Sequence, residues 1–136
     1  MISIPDLIID RLKTQFVDVE GLIALGDLQD KNVPRQKLFV LDLQERVGPL
    51  VEGMGLYRHT ITTTIGVLLV VPARNNAQPD VIAQRQQIRA LLYGWEPHED
   101  YTPLYLSGGQ LQPSRPGTVA WLDKFTTEYT EDALGV

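Results

Sequence analysis

The segment "YRHTITTTIGVLLVV" restricts the fold more than any other stretch of the chain. Tyr57, His59, Ile61, Thr63, Ile65, Val67, Leu69 and Val71 occupy one side of it, and Arg58, Thr60, Thr62 and Thr64 the other as far as Gly66. A period of two, rich in β-branched residues, is the pattern of a strand and not of a helix. The first half of the strand is apolar on one side only, whereas the second half is apolar on both and reads as buried on both faces. Pro72 ends its ladder, because proline has no backbone N–H to donate.

The elements around this strand follow from periodicity and punctuation. "SIPDLIIDRLKTQF" reads as a helix over residues 4–16, capped by Ser3, with Pro5 tolerated in the first turn and Ile4, Leu7, Ile8, Leu12 and Phe16 on one face. Residues 17–36, broken by Gly21, Gly26 and Pro34, suggest a short strand, one helical turn and a loop. "KLFVLDLQE" gives a strand over residues 37–43. The charged, Gly- and Pro-containing "QERVGPLVEGMG" that follows reads as a long loop. It presents Val47, Leu50, Val51, Met54 and Leu56 without an evident partner in the chain, so these five are candidate interface residues, expected to become ordered on assembly.

After a polar turn, a second helix is expected over residues 79–93. Pro79 lies near its start, Asp80 complements the dipole and Gly94 stands just past its end. Val81, Ile88, Leu91 and Leu92 form its apolar stripe, opposite Gln84, Arg85 and Arg89. Strands over residues 104–110 and 118–129 complete the chain, the last placing Val119, Trp121, Phe125 and Tyr129 on one face. The order α, short β, β, β, α, β, β implies an α+β fold: one domain over residues 1–136, a mostly antiparallel sheet of four to five strands, and two helices on one face.

Composition removes several function classes. The 136 residues contain no cysteine, which excludes disulfides, thiolate metal sites and cysteine nucleophiles. No apolar run is long enough to span a bilayer and no leader pattern opens the chain, so use without membrane passage is expected. Seventeen acidic against twelve basic side chains, a net charge of −5, disfavour tight binding of polyanions.

"LSGGQ", Leu106 to Gln110, matches the signature loop of ATP-binding-cassette ATPases. That loop only completes a site whose phosphates are already held by a P-loop, and no Gly-Lys pair occurs in the chain. A helix should also follow it, yet Pro113 and Pro116 do. The better reading is a strand in which Gly108 and Gly109 mark a bulge or a close backbone approach. His59 lies among strand threonines and reads as packing. His98, with Glu96, Glu99 and Asp100, reads as a solvated acidic loop rather than a metal site, since neighbours in a Pro-containing loop usually diverge. The carboxylate pairs Asp6/Asp10 and Glu131/Asp132 lack acid–base context, and Ser3, Ser107 and Ser114 lack a nucleophile elbow. The residues therefore offer no catalytic, cofactor or metal site.

The stretch "IRALLYGWEPHEDYTPLYLSGGQLQP" followed by "VAWLDKFTTEY" resembles the tail terminator family of tailed bacteriophages. The resemblance rests on Leu91, Leu92, Gly94, Trp95 and Pro97, then on Gly108, Gly109 and Leu111, and finally on Trp121, Phe125 and Tyr129. It covers about residues 78–132, and these residues have fold roles: Gly94 as a left-handed cap, Pro97 as a stop, Trp95 as an apolar anchor over the sheet. The resemblance implies a virion protein without catalysis or cofactor. It implies a homo-hexameric ring on the head-proximal end of the tail tube, assembled in the host cytoplasm, touching the tube protein, the sheath protein in a contractile tail, and the neck or head-completion protein. DNA would pass through the lumen without specific binding. Two other readings remain beside it: another small neck or tail-completion protein, and a small cytosolic enzyme or ligand-binding domain.

Overall fold

The computed structural model describes residues 2–21, 35–73, 81–113 and 117–133. Helix α1 (Ile4–Leu12) starts where Ser3 Oγ accepts from the Asp6 N–H at 3.4 Å. It stops one turn before the expected end, and Phe16, beyond it, is still buried. Strand β1 (Val19–Glu20) pairs in parallel with β2 (Lys37–Val47). The helical turn expected nearby falls within residues 22–34, outside the described residues. Strand β3 (Val51–Gly53) is short, and β4 (Leu56–Pro72) is the long strand that the alternation foretold. Helix α2 (Ile82–Leu92) begins without a side-chain cap at Val81; Pro79 and Asp80 lie outside the described residues. Strands β5 (Tyr105–Gln112) and β6 (Thr118–Asp132) follow.

The sheet order is β1-β2-β4-β6-β5, with β3 paired to β4, and every pairing except β1–β2 is antiparallel. Six strands and two helices make up the described fold, one strand more than expected. The α+β reading holds. Alternation along each strand decides which side chains meet the helices. Leu38 and Val40 of β2, Ile65, Val67, Leu69 and Val71 of β4, and Phe125 of β6 pack with Ile8 and Leu12 of α1 and Ile88 and Leu92 of α2. Both helices therefore cover the same face, and this layer is the main core. On the other face a smaller cluster of Phe39, Val70 and Ala120 forms, with Leu41 and Leu68 beside it. Gly66 lies on that face as well; Leu43 and Leu122 close over it so tightly that a Cβ would stand 2.8 Å from each. Thr60, Thr62 and Thr64 continue the helix-free face toward the other end of β4.

Candidate functional site

The segment expected to be a loop is a β-arm. Strand β2 runs on to Val47 opposite Ile61, because β4 is long enough to carry its partner well past the core. Residues 48–50 then bulge, held by the Gly48 N–H donating to Thr60 O and by His59 Nδ1 donating to Gly48 O, each at 2.8 Å. Strand β3 resumes the same edge at Val51, opposite Arg58. The chain reverses at Met54 and Gly55, whose φ values of 51° and 83° are the paired positive angles of a type I′ hairpin turn. A sequence with glycines on both sides of Met54 reads as loop punctuation, while here those glycines permit the tight turn. Strand β6 supports the arm only as far as Asp132, which pairs with Arg58 at 2.8 Å. Val47, Leu50, Val51, Met54 and Leu56 all sit on this arm and all are exposed, Met54 completely.

The residues of the second half serve the fold. Gly94, with φ 79°, is the third residue of a type II turn that starts at Leu92 and closes with the Trp95 N–H donating to Leu92 O at 3.1 Å. Pro97 is buried, and Trp95 lies half-buried at the edge of the core with the Arg11 guanidinium 4.8 Å from its ring. Arg11 also donates from Nε to Leu91 O at 2.6 Å, so Trp95 sits where the two helices join rather than centrally over the sheet. Phe125 is fully buried on the helix side, where Trp121 and Tyr129 flank it along β6. "SGGQL" lies within β5, with a register shift between Leu106 and Gly108. Gly109 faces Asp123 across the ladder, and a Cβ there would stand 2.8 Å from Asp123 Oδ1, 3.2 Å from Arg85 Nη2 and 3.3 Å from Trp121 Nε1.

The sequence model of the phage tail terminator protein family matches residues 4–133. This chain belongs to the phage tail terminator family. Among curated proteins none matches. The family is one of structural virion proteins, so this member has a structural role in a bacteriophage tail and associates with other tail components.

What the sequence reading missed in this chain is the ion cluster behind Gly109. Arg85 and Arg89 belong to the polar side of the helix by periodicity, yet both turn toward β6. Arg85 grips the buried Asp123 with two bonds, 3.1 Å from Nε to Oδ2 and 3.0 Å from Nη2 to Oδ1. Arg89 Nη2 reaches Oδ1 at 3.4 Å, and the Arg85 guanidinium stacks 4.1 Å from the Trp121 ring. The signal was present: Asp123 stands between Trp121 and Phe125 on the core-facing side of a strand, where a lone carboxylate demands a cation.

A second feature is a cleft of about 610 Å³ between the start of α1 and β2, lined by Ile2, Asp42, Glu45, Tyr101 and Tyr129 among others. The Tyr101 and Tyr129 rings lie 4.7 Å apart. Burial, then the neighbouring Glu45 and Glu131 carboxylates, push the Tyr129 phenol up to about 12. Burial first and Glu45 second raise the Asp42 carboxyl above its ordinary range. No basic side chain lines this cleft among the described residues. His98, Glu99 and Asp100 converge, contrary to expectation, with ligand atoms within 4.8 Å of one another. The turn folds back because the Asp100 N–H donates to His98 Nδ1 at 3.1 Å, which occupies one of the two imidazole nitrogens.

Proposed function

We propose that this protein forms a hexameric ring on the head-proximal end of the tail tube, stops tube polymerisation there and joins the tail to the neck. The observation that carries this reading is the β-arm. Its tip, residues 52–57, projects beyond the ladder of β6, and the arm as a whole exposes Val47, Leu50, Val51, Met54 and Leu56, although burying such side chains is what stabilises a subunit. Apolar residues on a hairpin outside the core supply contact area for an obligate partner. Tube protein and the neighbouring copy are the partners in this reading, with sheath protein added in a contractile tail and the neck protein above. The role is mechanical and needs no nucleotide, metal or turnover. The net charge of −5 suits a ring through which DNA passes without adhering.

Electron microscopy of particles assembled without the protein tests this reading. Tails of uncontrolled length, unattached to heads that have filled with DNA, are the expected outcome. Tails of normal length already joined to heads overturn it, and normal tails beside unjoined heads transfer the protein to a neck or tail-completion role.

A further inference from the structure

Among the described residues the sheet ends in two open edges on opposite sides. Strand β5 is the last in the order, and its outer edge has no partner among the described residues. On the far side β1 covers only Leu38 and Phe39 of β2, which leaves residues 40–47 of β2 open in the same sense. Natural monomers blunt such edges with charges or prolines, but "YLSGGQLQ" contains neither. Arg85 and Arg89 share the single carboxylate of Asp123, so the β5 side carries excess positive charge. On the helix-covered side, where Arg85 and Arg89 stand, the β2 edge carries the opposite sign in Asp42 and Glu45, while Arg46 lies on the helix-free face.

We infer that the β5 edge of one copy pairs with the exposed part of the β2 edge of the next, setting Arg89 on the same side of the joined sheet as Asp42 and Glu45. The inference rests on the ring reading above and names its interface. Direction supports it. Successive antiparallel pairings leave β5 antiparallel to β2. Rotation about an axis running along the strands preserves direction, so the two edges meet as an antiparallel pair with the helices of both copies on one side. Each copy uses one edge of each kind, which is a heterologous contact and closes into a ring when the rotation allows. Pairing β5 with itself would instead make a two-fold dimer and bring like charges together.

The absence of cysteine makes a direct test possible. Tyr105→Cys on β5 and Gln44→Cys on β2 lie on the helix-free face at exposed positions, and the strand registers set them at the same height in the sheet. A short bismaleimide, which tolerates a slip in register, should link the double variant into a ladder from dimer to closed ring and leave each single variant unlinked. Dimers from Tyr105→Cys alone overturn the inference in favour of β5 self-pairing. A ring seen by light scattering without linkage of the double variant overturns this interface while leaving the ring reading standing; a protein that stays monomeric removes both. As a second variant, Leu111→Lys puts a charge on an exposed β5 side chain and should abolish the ring with an unchanged melting temperature. A persistent ring in that variant counts against the assignment.

Discussion

A methyl group at position 109 has nowhere to go. The nearest atoms are Asp123 Oδ1, Arg85 Nη2 and Trp121 Nε1, the groups that hold the buried charge, and none is the free end of a flexible chain. Gly109→Val should therefore lower stability by about 1–3 kcal/mol, the range for overpacking a filled site, seen as a fall in melting temperature. Ser107→Ala, one residue before the bulge glycine and exposed, should stay within about 0.5 kcal/mol of the parent. Equal effects at the two positions would show that the glycine is not there for close approach. The same cluster marks the limit of reading by pattern. Periodicity sorts Arg85 and Arg89 by hydropathy onto the solvent side, but a guanidinium on a long stem can turn back to a buried carboxylate. Only the three-dimensional neighbourhood of Asp123 reveals that demand.

At the scale of elements, the long strand, both helices and the last two strands were legible, because each has a strong period or clear end signals. Ser3 caps α1, and Gly94 follows α2 at the expected position, though as part of a type II turn instead of a helix cap. The arm was not legible. Its strand lacks alternation where both faces are exposed, and its glycines carry the same letters as a loop. Burial gives a strand its pattern, so a strand that leaves the core loses it. The exposed apolar residues were found, whereas their secondary structure was not. Met54 sharpens the point: a side chain without branching at Cβ but also without a local hydrogen bond sits at φ 51°, fully exposed. Asparagine favours that conformation. Met54→Asn should thus leave the isolated subunit as stable as before or slightly more so, by thermal unfolding, and should weaken attachment to the tail. A variant that attaches normally would deprive the arm tip of a contact role.

For the whole molecule, charge on the β2 side sets subunit stability against assembly. Asp42 has its carboxyl raised above its ordinary range by burial and then by Glu45, and no cation lines the cleft they share among the described residues. A carboxyl raised on folding favours its protonated form in the native state, so its contribution is intact below the ordinary carboxylate range and is lost as pH rises through the raised value. At neutral pH the ionised Asp42 therefore opposes folding of the lone subunit. Asp42→Asn should raise the melting temperature of the subunit at pH 7 or leave it unchanged, and the difference from the parent should vanish in acid. In the ring proposed above the sign should reverse, because Arg89 of the neighbouring copy would stand on the same side of the sheet as Asp42 and Glu45, and a charge lost from a cross-subunit contact weakens association and flattens its salt dependence. Light scattering against protein and salt concentration measures the second effect, and calorimetry at two pH values the first. A variant that melts lower as a subunit yet holds its ring unchanged would reverse both signs and show that Asp42 stabilises the fold rather than the contact.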